Sequence, residues 1–285
     1  MNWLKKCVVA LICLLPLSSQ AAKVEIVEVK SASMNKKVEV LVVCPDVADT
    51  KDCPVVYLLH GHGGNARQWI TFKPELPRLA DEKGIYFVCP DGKNSWYWDS
   101  PTNPEYRYET FVSSELIQYV DEHYNTIADR TGRAITGLSM GGHGAMWNGL
   151  RHSDVFSAVG ATAGGVDIRP FPKNWNMKDQ LGTIEQNPEN WEKFTVINLV
   201  PNLQKGQIAI IVDCGKDDFF FEVNKNFHEA LDKQGIEHDK ERSAIIKAYD
   251  LKVLRFTNYE VDTAFQNVCE TIDEEIKARL KNITN

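Results

Sequence analysis

Ser139 is the side chain in this sequence best placed to do chemistry. It sits in Gly137-Leu138-Ser139-Met140-Gly141, a G-x-S-x-G pattern. At this glycine and serine content the pattern arises by chance about 0.05 times in the chain. The glycines leave room for a sharp turn between a strand and a helix, and such a turn lifts the serine hydroxyl clear of the backbone. Arg133–Leu138 reads as the strand and Gly142–Leu150 as the helix. The chemistry that follows is nucleophilic attack on an acyl carbon, with the helix N-terminus and its backbone N–H groups aimed at the developing oxyanion.

Two further segments fit the same site. Leu58-Leu59-His60-Gly61-His62-Gly63-Gly64-Asn65 follows an apolar run. Its glycines let backbone approach a substrate oxygen, so the N–H of His62 is the expected oxyanion donor beside the N–H of Met140. The imidazoles of His60 and His62 read as loop structure. In triads built on this turn the acid follows the serine in the chain and lies beyond a later strand. Ile208–Cys214 is that strand, and Gly215-Lys216-Asp217-Asp218 is the turn after it. Either aspartate is a candidate to orient a histidine.

The elements that must hold these residues alternate along the chain. Val24–Val29 and Lys37–Val43 are short alternating runs and predict an antiparallel pair. Val55–Leu59, Ile85–Cys89, Ala134–Leu138 and Ile208–Cys214 are compact and β-rich, as suits a sheet covered on both faces. Helical spacing appears over Pro74–Lys83, Phe111–Tyr124, Gly141–Arg151 and Phe221–Gly235. Interleaved strands and helices predict an α/β fold with a mostly parallel central sheet and helices on both faces. The balance of 43% hydrophobic and 25% charged residues in 285 excludes a disordered chain. The acidic formal charge of −7 argues against a nucleic-acid partner, and no internal apolar stretch reaches the ~18 residues of a membrane span.

Residues 1–22 read as a signal peptide: Lys5 and Lys6, the apolar run Cys7–Leu17, then Ser19-Gln20-Ala21 with small residues at the −3 and −1 positions. Cleavage near Ala21 or Ala22, giving a secreted or periplasmic protein, would take the formal charge from −7 to −9 by removing two lysines. Five cysteines would remain. An oxidising compartment would allow a Cys44–Cys53 disulfide, whereas Cys89 and Cys214 read as buried thiols. No cysteine or histidine spacing suggests a metal site, and no cofactor is expected.

The segments VVYLLHGHGG, YFVCPDGKNSWYWDSP, ETFVSSELIQYVDEHY, RAITGLSMGGHGAMW, GGVDIRPFP and IVDCGKDDFFFEVN occur in order between Val24 and Asp239. In these the chain resembles the putative-esterase family of α/β hydrolases, which includes esterase D-like, feruloyl and mycolyl-transferring enzymes. The resemblance implies an eight-stranded α/β-hydrolase sheet, Ser139 as nucleophile and Asp218, the aspartate directly before the aromatic residues, as triad acid.

The family's pattern breaks where its histidine belongs. After Gly235-Ile236-Glu237-His238-Asp239 the family continues to a catalytic histidine that would fall near position 247; this chain has Lys247 there and no histidine after His238. His123, His143, His152 and His228 belong to predicted helices, and a stand-in from the His60 loop is the remaining source of a base. The tail, 240–285, resembles the C-terminal end of very-short-patch-repair-like endonuclease domains and reads as helix (Lys240–Tyr249), strand (Lys252–Phe256) and helix (Thr263–Leu280), without the carboxylates that cut DNA in such folds. A fusion, or a family variant with a repurposed tail, accounts for it. The domains are therefore a leader (1–22), an incomplete hydrolase domain (23–239) and the tail.

The expected function is a secreted serine carboxylic-ester hydrolase, impaired by the missing histidine. Its substrates would be small-molecule or polysaccharide-linked acyl esters, feruloyl or acetyl by resemblance. The alternative is an inactive member that binds esters or glycans. Trp96-Tyr97-Trp98, with Tyr106 and Tyr108, reads either as a platform for sugars or aromatic acyl groups or as a buried packing segment. Oligomeric state is not legible.

Overall fold

The computed structural model describes residues 22–236. Nearly all of the leader and all of the tail lie outside the described residues. Among these, seven strands form one mixed sheet in the order β1-β2-β4-β3-β5-β6-β7. They are β1 (Lys23–Ser31), β2 (Lys36–Cys44), β3 (Val55–Leu59), β4 (Tyr86–Pro90), β5 (Arg133–Gly137), β6 (Ala158–Thr162) and β7 (Ala209–Asp213). The opening pair is antiparallel, and β2 meets β4 antiparallel. From β4 onward every pairing is parallel, so the C-terminal ends of β4, β3, β5, β6 and β7 share one edge.

Alternation along the strands sorts side chains to two faces. Val40, Val42, Val55, Tyr57, Leu59 and Val88 enter the larger core. There they pack with α4 (Leu116–His123), α5 (Met140–Arg151) and α8 (Phe221–Gln234) through Leu116, Val120, Met146, Leu150, Phe227 and Leu231. Leu41, Val43, Leu58 and Cys89 face the other way, against Trp69 and Ile70 of α1 (Gln68–Phe72) and Leu76 and Ala80 of α2 (Leu76–Lys83). Three short helices complete the described set: α3 (Tyr108–Thr110), α6 (Met177–Leu181) and α7 (Pro188–Lys193). A π turn over Phe111–Glu115 joins α3 to α4. Helix α8 closes on Gly235, whose φ of 67° is the left-handed cap that residue favours.

Register places Thr136, Gly160 and Ile211 in line on the α2 face, and there Ile211 is 51% exposed. Helices α1 and α2 cover the β2–β4–β3 half of that face and leave this half open among the described residues. Strand β6 carried no readable signal in the sequence. It is Ala-Val-Gly-Ala-Thr, because a Cβ on Gly160 would lie 2.7 Å from Thr136 Oγ1. Packing has replaced β-branched residues with small ones. Cys44, Cys53, Cys89 and Cys214 are free thiols. No helix of the described residues is long and apolar enough to cross a membrane.

Candidate active site

Ser139 is the residue between β5 and α5, at φ 57° and ψ −116°. A non-glycine residue there is strained by roughly 1–3 kcal/mol, and the surroundings impose it. The Ser139 N–H donates to Thr162 O at 2.9 Å, tying the turn to the end of β6. Gly141 N–H donates to Leu138 O at 2.8 Å and His143 N–H to Ser139 O at 3.0 Å. Both glycines of the motif are required by close approach. A Cβ on Gly137 would sit 2.2 Å from Gly141 O, and one on Gly141 would sit 2.2 Å from Leu59 O. No rotamer change relieves a clash with backbone, so only glycine fits at either position.

The loop after β3 lies against the turn: a Cβ on Gly61 would be 3.7 Å from Ser139 Cβ. Gly61 N–H donates to Gln68 Oε1 at 2.7 Å and Gly63 N–H to Asn94 Oδ1 at 2.8 Å. These bonds fix the loop on both sides of His62. Among the described residues none accepts a hydrogen bond from the N–H of His62 or of Met140. Met140 is the first residue of α5, so its N–H belongs to the positive end of the helix dipole.

Asp218 lies beyond β7, on the same edge of the sheet. It is half-buried, whereas Asp217 is exposed. Its Oδ1 accepts the Phe220 N–H at 2.8 Å, and its own N–H donates to Gly215 O at 3.2 Å. The turn after β7 thus holds the second aspartate against its own backbone and leaves the first in solvent. Ser139, His62, Met140 and Asp218 all stand at the C-terminal edge, where open α/β sheets keep their functional groups. Other strained residues gather there too: Lys93, Trp96, Tyr97, Ala163, Trp175 and Asn176 all have positive φ.

The histidines divide sharply. His60 is buried, with Nδ1 2.8 Å from Gly61 O and Nε2 accepting the Gly92 N–H at 2.9 Å, so both ring nitrogens are used. His143 is fully buried on α5. Its Nδ1 donates to Gly165 O at 2.8 Å and its Nε2 accepts the Trp98 indole N–H at 2.7 Å. Trp96 and Trp98 meet the ring edge-on, with centroids at 5.2 and 5.0 Å. Burial pushes the His143 pKa down to about 4, against the opposing pull of the Gly165 carbonyl. His62 is half-buried and its ring is engaged by Asn176, with Nε2 3.2 Å from Asn176 Oδ1.

His143 gives a pH prediction. The unfolded imidazole titrates near its ordinary 6.5, the folded one near 4. Between these values the unfolded chain binds more protons, so stability falls as pH drops from 6.5 towards 4 and the loss saturates below that. The fall is on the order of 3 kcal/mol. Urea midpoints at pH 7, 5.5 and 4 should show it, and His143→Gln should flatten the slope between pH 6.5 and 4.5. An unchanged slope in the variant would assign the loss to other groups.

Trp96, Tyr97 and Trp98 are all within 1% of complete burial, so this segment packs the core and offers no platform. The exposed aromatics lie elsewhere. Phe219, beside Asp218, is 59% exposed and stands 5.1 Å from the Trp175 ring at 30°. Trp175 in turn adjoins Asn176, the partner of the His62 ring, and its carbonyl accepts the Trp96 indole N–H at 3.2 Å. The signal is present in the sequence as the run Phe219-Phe220-Phe221 after the acid, which marks Asp218 by resemblance but does not say which of the three rings is exposed.

A strained serine at a strand-to-helix turn, on the C-terminal edge of a mostly parallel sheet, defines a serine hydrolase of the α/β-hydrolase class. Residues 31–251 match the model of the putative-esterase family, and the chain belongs to that family; it is a carboxylesterase by that membership. The match passes Asp239 and runs through the position of Lys247. The chain is 27% identical to an acetyl esterase of Caldicellulosiruptor saccharolyticus over 201 residues, 66% of this chain and 75% of that protein. It is 26% identical to an S-formylglutathione hydrolase of Rattus norvegicus over 217 residues, 69% of this chain and 75% of that one. A solved ferulic acid esterase superposes with a TM-score of 0.63 at 29% identity, over 76% of this chain and 88% of that chain.

Proposed function

We propose that the protein is a secreted serine carboxylesterase for aromatic acyl esters, of the feruloyl type, carried on polysaccharide or small alcohols. Ser139 is the nucleophile, and the observation that carries the reading is its strained position at the N-terminus of α5 beside an unbonded Met140 N–H. The hydroxyl adds to the ester carbonyl. The oxyanion accepts the N–H groups of His62 and Met140, and collapse expels the alcohol to leave an acyl-serine. Water then adds to that acyl group and releases the acid. Asp218 serves to orient a histidine base, and with Lys247 in that base's place the reaction runs slowly.

The names of the relatives support ester hydrolysis without choosing the acyl group. The exposed Phe219 ring beside half-buried Trp175 favours an aromatic one over acetyl, because a planar acyl group can stack there. Methyl ferulate should therefore be hydrolysed with higher kcat/KM than methyl acetate. Phe219→Ala should lower kcat/KM for ferulate about three- to tenfold, the equivalent of one aromatic contact, and leave acetate nearly unchanged. Equal losses on both esters would assign Phe219 a structural role only.

A second reading, an ester- or glycan-binding member without turnover, is favoured by one observation: the ring nitrogens of His60 and His143 are all engaged. Turnover of p-nitrophenyl acetate above the Ser139→Ala background excludes it.

A further inference from the structure

The chain enters the sheet beside a carboxylate. The Ala22 N–H donates to Asp81 Oδ2 at 2.8 Å, and the Asp46 N–H donates to Asp81 Oδ1 at 2.9 Å. Asp81 lies on α2, Asp46 just beyond β2, and Ala22 just before β1, so one side chain joins three elements. The Ala22 methyl is buried among Leu41, Val43, Leu76 and Ala80. Among the described residues no lysine, arginine or histidine is ion-paired with Asp81 or Asp46; the neighbouring Lys23 pairs with Glu25 instead. The Asp46 carboxyl is raised from its ordinary range, by desolvation first and then by Asp81 and Asp49. The Asp81 carboxylate thus holds two backbone N–H groups, those of Ala22 and Asp46, and has no cationic partner among the described residues.

We propose that Asp81 holds the α-ammonium group created at Ala22 when the leader is removed. The inference rests on the export reading and specifies it further. A leader-cleaving peptidase that takes small residues at −1 and −3, here Ala21 and Ser19, adds water across the Ala21–Ala22 amide. Ala21 departs with the new carboxylate. The Ala22 nitrogen becomes an ammonium and keeps the same Asp81 oxygen. A neutral donor thereby becomes a charged one, turning a bond the carboxylate already assists into a hydrogen-bonded ion pair. Cleavage also gives the Asp81 carboxylate a cationic partner, where none is ion-paired with it among the described residues. Processing completes the anchoring of β1 as well as releasing the protein.

Protein recovered from the periplasm or medium should have the intact mass of a chain starting at Ala22. A start at Lys23 would overturn the Asp81 anchor while leaving export intact, and a start at Met1 would overturn export itself. Melting temperatures should then be compared for chains starting at Ala21 and at Ala22, each with Asp81 and with Asp81→Asn. With Asp81, the Ala22 chain should melt about 2–4 °C above the Ala21 chain; with asparagine the difference should shrink to less than about 1 °C. Each comparison is between two chain lengths in one background, so a general loss from Asp81→Asn cancels. The same difference in both backgrounds would overturn the proposal.

Discussion

Ser139→Ala should abolish covalent labelling by a fluorophosphonate probe and reduce ester turnover to background. The expectation is as specific as it is because the buried serines are already engaged, Ser95 by accepting the Tyr97 N–H at 3.0 Å. Ser113 donates to Glu109 O at 2.7 Å, Ser100 to Gln180 O at 2.7 Å, and Ser31 to a Glu115 carboxylate oxygen at 2.6 Å. Ser139 alone combines the motif's exposed turn with the end of a helix dipole and two unbonded N–H groups close by. The substitution is also a clean one. Alanine at φ 57° carries the same Cβ and so the same backbone strain as serine, and the Ser139 N–H bond to Thr162 survives it. Melting temperature should therefore move little while labelling disappears. Without a positioned base the hydroxyl is a weak nucleophile, so labelling of the natural chain should be slow, and its time course is the measurement. Labelling that persists in Ser139→Ala would remove the central assignment.

What was legible in the sequence follows from where the constraints are local. The G-x-S-x-G turn was readable because steric exclusion at Gly137 and Gly141 operates within a few residues and against the adjoining β3 backbone. Strands β3, β4, β5 and β7 were readable to within about one residue: β3 and β4, covered on both faces, become continuous apolar runs, and β7 reads the same way although Ile211 is exposed among the described residues. Strand β6 was not, since Gly160 is dictated by Thr136 on a neighbouring strand, and sequence periodicity carries no trace of a partner. The aromatic residues failed for the same reason. Trp96-Tyr97-Trp98 looks like a surface platform in one dimension, but Trp98 is spent holding His143 and the Tyr97 hydroxyl lies 3.0 Å from the His60 amide nitrogen. Which aromatics face the site depends on the fold bringing Trp175 to Phe219 across more than forty residues of chain. The choice between Asp217 and Asp218 could not be made from the turn alone. It came from the resemblance; in the fold Asp218 is half-buried and Asp217 exposed.

The proposed absence of a family-type base carries the largest expected effect. Triad members act as a unit, and in the handling of subtilisin variants the loss of the histidine costs on the order of 10⁶ in kcat. The oxyanion donors and binding leave roughly 10³–10⁴ over water. Replacing everything after Asp239 with a tail of the family's ordinary kind should therefore raise kcat/KM for a p-nitrophenyl ester by about 10³-fold or more. Two changes arrive together in that graft. The strand and turn bring an imidazole to Asp218 and Ser139, and the C-terminal chain itself is exchanged. A melting curve separates them, because any effect of the exchanged chain on stability appears in a Ser139→Ala background as well, whereas the gain in rate requires the serine. Lys247→His alone should recover far less, since an imidazole without its strand and turn is not held within reach of the hydroxyl. The result that would sink this account is a natural chain already as fast as the grafted one. Among the described histidines His60 and His143 are excluded by their paired nitrogens, so the first candidate base is His62, on the loop against Ser139 and held through Nε2 by Asn176. Asn176→Ala should in that case change kcat and its pH profile, while under the missing-base account it should change neither.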